Sequence, residues 1–156
     1  MNKFKFLIGL ILISGLMMYL SIDAYAQRRP RGGWGMNNQY VRMFNPDSMV
    51  TFKGTVASVD KFTPRKGMSY GIHLKVKSSD DQIMSVHLGP AWYVNKQEPK
   101  IQVGDEIELS GSKVMYNDQY VIIASELKKG DKTLQLRDKS GIPLWAGKGM
   151  RQRITK

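Results

Sequence analysis

The sequence predicts an all-β fold: a small antiparallel OB-like barrel of five to six strands, with a short helix or loop after the third. Three observations carry this. From Met49 onward, short strand-like segments alternate with turn signals at regular spacing. The first segment, 50–62, is long for a strand and holds Gly54 in its interior, a device for bending a strand around a barrel corner. The spacing is interrupted once, after the third strand, and three strands, a connector and two more is the order of an OB-fold. An SH3-like barrel is the alternative.

In chain order, Lys3 and Lys5 precede an uncharged run from Phe6 to Leu20, and Ala24-Tyr25-Ala26 fits a small-x-small cleavage site. Residues 1–26 therefore read as a signal peptide cleaved after Ala26, which makes the expected location periplasmic or secreted with no membrane span in the mature chain. An uncleaved anchor is the competing reading. Residues 27–45, rich in Arg, Gly and Asn and without a period, read as a basic flexible arm whose Tyr40, Val41, Met43 and Phe44 could dock onto the domain. The barrel is expected over 46–147. Thr63-Pro64-Arg65-Lys66-Gly67 makes a loop. Ile72, Leu74 and Val76 alternate with His73, Lys75 and Lys77 in a half-buried second strand. Ser78-Ser79-Asp80-Asp81 turns the chain into a third strand, which Gly89-Pro90 stops. Residues 91–97 form the connector. Strands over 106–115 and 119–127 follow, joined by a tight turn at Asn117-Asp118, with a last short strand over 133–137. Residues 148–156 are a basic tail.

The net charge of +11 is concentrated outside the barrel. Arg28, Arg29, Arg31 and Arg42 lie in a segment without acids, as do Lys148, Arg151, Arg153 and Lys156, whereas 46–147 carries only +2. Such flanks attract phosphate, anionic lipid, acidic glycans or acidic proteins with little discrimination. The expected partners are an envelope protein or an anionic surface. Nucleic acid is disfavoured, being scarce outside the cytoplasm. With no cysteine, disulfides, thiolate metal sites and covalent haem of the C-x-x-C-H type are excluded.

Catalytic patterns are absent. There is no G-x-S-x-G, H-E-x-x-H, P-loop or dinucleotide fingerprint, and two S-x-x-K matches fall on strands rather than the helix that motif needs. Nothing supplies a nucleophile with its base and orienter, so the chain is expected to be no enzyme. The methionines are scattered. The two histidines are the chemical candidates. If the hairpin turns near Asp80, His73 and His87 lie equally far from the turn and become cross-strand neighbours, with Cβ atoms roughly 5 Å apart. Two neutral imidazoles so placed could hold one divalent transition metal, or form a group titrating near neutrality; two hydrogen-bonded strand residues are the plainer reading. Trp92 and Tyr93 could line a ligand groove, but the area an indole buries favours Trp92 as a plug for the open end of the barrel. Trp145 is expected to pin the C-terminal segment.

Taken together, "GIHLKVK" at 71–77, "VHLGPAWY" at 86–93, "VGDEIELSGSKV" at 103–114, "IIASEL" at 122–127 and "LQLRDKSGIPLW" at 134–145 resemble a family of exported bacterial OB-like domains. That family includes the C-terminal domain of the magnetosome proteins MamS and MamX. The resemblance covers residues 40–147 and implies a small exported β-barrel and, in the magnetosome members, a part in iron-mineral maturation. The haem-bearing relatives carry C-x-x-C-H motifs in a separate segment, so any redox role here would need a partner to bring the haem. The expectation is thus a non-enzymatic binding or accessory module of the cell envelope. Its groove beside the second and third strands would have His73, His87 and Tyr93 at the rim and Trp92 and Arg137 as further ligand candidates.

Overall fold

The computed structural model describes residues 33–146. The expected leader, the first part of the arm and the basic tail lie outside the described residues. Six strands make up the fold: β1 (Met49–Phe62), β2 (Gly71–Ser78), β3 (Ile83–Pro90), β4 (Glu106–Tyr116), β5 (Gln119–Lys129) and β6 (Lys132–Gln135). One short helix, α1 (Ala91–Val94), follows the third strand, where the connector was expected. Two 3-10 turns, Val41–Met43 and Pro46–Ser48, lead into β1.

The strands bond in a ring. β1 pairs with β2 at one end and β4 at the other, β2 with β3, and β4 with β5, all antiparallel. A short parallel pairing of Val86 with Ile122 and His87 with Ile123 joins β3 to β5 and closes the circuit. The result is all-β and barrel-like, with β6 added beyond the closure.

β1 serves two neighbours because it bends. Gly54 is the crossing point, paired with both Ser78 of β2 and Ile107 of β4. A Cβ at Gly54 would run into the backbone oxygen of Lys77, so close approach of a neighbouring strand, rather than a bulge, requires the glycine. The bulge lies at Ala57, where the register to β2 slips between Val56 and Ser58. The β4–β5 turn is as tight as its sequence suggests, with Asn117 and Asp118 both at positive φ (48° and 60°), the backbone that twists a two-residue hairpin correctly.

The inner face carries Leu74, Val76, Val86, Leu109, Ile122 and Leu127, each at most 1 % exposed. The flanks complete this core. Within the expected basic arm, Trp34, Tyr40 and Val41 are 2 %, 1 % and 1 % exposed: Tyr40 and Val41 dock onto the domain, as their sequence allowed, and Trp34 docks as well. The aromatic area of Trp34 and Tyr40 outweighs the cost of ordering a glycine-rich segment. Trp145, 3 % exposed, pins the C-terminal segment as expected: its indole Nε1–H donates to the Trp34 carbonyl at 3.1 Å. The indole lies on Gly89, where a Cβ would approach ring carbons at 2.7 Å and φ is +144°. Gly89→Ala must therefore displace Trp145 while straining its own backbone, and a loss of about 3 kcal/mol in urea denaturation is expected. Among the described residues no helix is long and apolar enough to cross a membrane.

Candidate functional site

The β2–β3 hairpin turns at 79–82, with the Ser78 N–H donating to the Gln82 carbonyl at 2.9 Å. That turn fixes the register, and His73 and His87 become direct cross-strand partners, with ring centroids 5.4 Å apart. Their neighbours Leu74 and Val86 point into the core, so alternation along the strands puts both imidazoles on the outer face. Ser85, two residues before His87, shares that face, and His73 Nε2 and Ser85 Oγ are 2.8 Å apart in a hydrogen bond.

The outer face is not open water. Phe62 stacks on the His87 ring at 4.0 Å, and Tyr116 meets it edge-on at 5.3 Å. The Tyr40 hydroxyl and His87 Nδ1 share a 2.7 Å hydrogen bond. His87 is left only 5 % exposed. Burial, with His73 as a second cause, pushes its pKa down to about 3, so the ring is neutral at physiological pH. His73, half-buried, is also shifted down by desolvation, partly opposed by Asp60. Burial raises the Tyr40 pKa, so the phenol keeps its proton.

An open pocket of about 310 Å³ runs along this cluster, lined by His73, Ser85, His87, Phe62, Tyr116 and Val121 among others. It offers two uncharged imidazoles on one wall. Among the described residues no third His, Cys, Asp or Glu joins them in metal-holding geometry. Asp60 is the register partner of His73 on β1, but its carboxylate accepts a hydrogen bond from Ser58 Oγ at 2.7 Å. Any metal here would have two imidazoles from the protein and the rest of its ligands from elsewhere.

The other candidates lie apart. Trp92 is 39 % exposed and plugs nothing; Trp34 and Trp145 are the buried indoles. Tyr93, 5 % exposed, packs its ring 5.5 Å from that of Trp145, away from the histidine rim. Arg137 is 1 % exposed and belongs to the core: its Nη1 donates to the Gly141 carbonyl at 2.9 Å, and its guanidinium faces the rings of Phe44 (4.8 Å) and Trp145 (5.4 Å). Burial lowers its pKa to about 10, which leaves it charged, and its Nε has no hydrogen-bond partner. Arg137→Met keeps the ring contacts and removes that desolvated charge. It is expected to change unfolding free energy by less than about 1.5 kcal/mol, whereas Arg137→Ala, which opens a cavity, should cost about 3 kcal/mol.

A larger groove of about 640 Å³ lies beside the Gly54 crossing of β1, but most of its charges pair with one another. Lys53 and Lys128 each lie 3.5 Å from Glu108, and Lys77 lies 2.8 Å from Asp81. Sequence reasoning missed Ser85 and Phe62 as neighbours of the histidines. Alternation placed Ser85 on the same face; nothing local marked Phe62.

Ring closure, bent first strand and side-chain pocket define a small all-β barrel-like module with its one imidazole pair on the outer wall. Residues 48–134 match the MamS/MamX magnetosome protein family, which is more than half of the 156-residue chain, and the chain belongs to that family. The matched stretch runs from the start of β1 into β6 and includes both histidines, while Trp34, Tyr40, Arg137 and Trp145 fall outside it. No curated protein matches the chain.

Proposed function

We propose that this protein is an exported, non-enzymatic binding or accessory module of the cell envelope whose ligand site is the pocket at His73 and His87. The carrying observation is that the two histidines are register partners lining one open pocket. Both are held neutral, the state in which imidazole binds divalent transition metals. With two protein ligands at most, the ligand is a metal ion that completes its shell from solvent, or one carried by a partner whose own groups supply the remaining bonds.

Calorimetric titration with Zn²⁺, Cu²⁺ and Fe²⁺, run beside a His73→Ala/His87→Ala double variant, tests this. Micromolar or tighter binding that vanishes in the variant is the expected result. Binding that ignores both substitutions, or none at all, sinks the metal reading. Because both pKa values are depressed, affinity should fall less on acidification below pH 7 than that of an unperturbed imidazole pair, which is protonated near its ordinary value and loses its metal.

The charge distribution favours a second reading, a binder of anionic polymers or surfaces through the basic flanks. Its test neutralises Arg28, Arg29 and Arg31 and deletes 148–156. Residues 33–45 must stay, because Trp34 and Tyr40 belong to the core. Affinity for heparin or anionic vesicles that falls with salt and disappears with these charges supports it; affinity indifferent to them removes it.

A further inference from the structure

One aromatic series runs from the surface to the histidine pair. Trp92, 39 % exposed, meets Tyr93 at a ring-centroid distance of 6.2 Å, and Tyr93 meets Trp145 at 5.5 Å. Trp145 meets Trp34 at 6.2 Å, and Trp34 meets Tyr40 at 5.6 Å. Tyr40 then hydrogen-bonds His87 Nδ1 at 2.7 Å and packs against Tyr116, centroid to centroid 5.5 Å, which lines the pocket. Every member is a Trp or Tyr, the two side chains with the most readily oxidised rings. The chain has no cysteine to intercept an oxidising equivalent. Packing alone needs apolar rings, and Phe or Leu would fill these sites without a hydroxyl at the imidazole.

We propose that Trp92, Tyr93, Trp145, Trp34 and Tyr40 form a one-electron relay between the protein surface and the pocket, with the Tyr40–His87 pair as its proton-coupled terminus. A one-electron oxidant in the pocket, such as a transition-metal ion in its higher oxidation state, takes one electron from Tyr40. The phenolic O–H bond breaks and the proton passes to Nδ1 of His87, leaving a neutral phenoxyl radical and an imidazolium. Trp34 then supplies an electron to the phenoxyl oxygen while the proton returns from His87, restoring the O–H bond. The vacancy moves to Trp145, Trp92 supplies the next electron across the intervening Tyr93 ring, whose O–H bond stays intact, and an external one-electron reductant refills Trp92. His87 is the base because it alone is hydrogen-bonded to the buried hydroxyl. The proposal goes beyond the metal reading and does not require a metal at the histidines, since any one-electron oxidant can start the relay.

The test is flash photolysis of the full chain with ruthenium tris-bipyridine and persulfate, followed by electron paramagnetic resonance and transient absorption. Tyr70 and Tyr120, both exposed, and Tyr19 and Tyr25, which lie outside the described residues, are first replaced by Phe so that these phenols do not contribute. The expected result is a tyrosyl signal that is lost in Tyr40→Phe and forms more slowly in D₂O. Trp92→Phe, a surface change that leaves the core intact, should lower the yield when oxidation starts at the surface. A tyrosyl signal unchanged in Tyr40→Phe, or a yield indifferent to Trp92→Phe, overturns the relay. Circular dichroism on each variant confirms that the fold is retained.

Discussion

Trp34→Ala is expected to remove about 4 kcal/mol of stability, roughly a quarter or more of what a domain of this size possesses. The indole is 2 % exposed and meets Tyr40, Phe62 and Trp145 edge-on, with centroids 5.6 to 6.2 Å away. Its Nε1–H donates to the Ser69 carbonyl at 3.0 Å, and its own carbonyl accepts from Trp145. Truncation leaves a cavity where three rings met and orphans the Ser69 oxygen, two costs that add. Trp34→Phe fills most of the space and should cost roughly half as much, because only the hydrogen bond and the outer ring are lost. Urea denaturation separates the two variants. A midpoint for Trp34→Ala that matched wild type would mean that the glycine-rich segment does not belong to the folded domain.

Acid should weaken the fold through His87, by an amount one substitution can isolate. The ring has a pKa of about 3 when folded and an ordinary value near 6.5 when unfolded. Between those values the unfolded chain binds the extra proton, so stability falls as pH falls and levels off below the folded value. The loss attributable to this one group is about 2 kcal/mol at pH 5 and about 3 kcal/mol at pH 4. His87→Phe keeps a flat ring against Phe62 and removes the titration, at the cost of the bond to Tyr40. The variant should start less stable at pH 7 and lose less on acidification, so the two curves converge as the pH drops. Carboxylates contribute equally to both proteins and cancel in the difference. Parallel curves from pH 7 to 4 would mean that His87 is not desolvated as the geometry implies.

Much of the architecture is legible because it rests on local pattern. Two-residue alternation set the faces of β2 and β3, and their symmetry about Asp80 was enough to bring His73 opposite His87. The connector after the third strand and the Asn117-Asp118 turn carry their own chemistry. What local pattern cannot convey is which distant segment covers a face. Alternation put His87 on the polar side, yet Tyr40, 47 residues earlier, lies over it and dries it. The same blindness exchanged the roles of the tryptophans. A lone indole in a run of glycines has no period, so Trp34 gave no sign of burial, while Trp92 beside a strand end looked like a plug. Arg137 looked like a ligand group because charge usually means surface; its two ring partners come from segments on either side of the barrel strands.

The bond from Trp145 to Trp34 spans 111 residues, and that span dictates an order of events. The hairpins β2–β3 and β4–β5 close from neighbours in sequence, whereas β1–β4, β3–β5 and this last link need pieces made far apart in time. A growing chain lacks the residue that seals Trp34 and Gly89 until position 145 has been added, after every barrel strand has been made. A chain cut before Trp145 is therefore expected to leave this face open and to be digested faster than one that carries the indole.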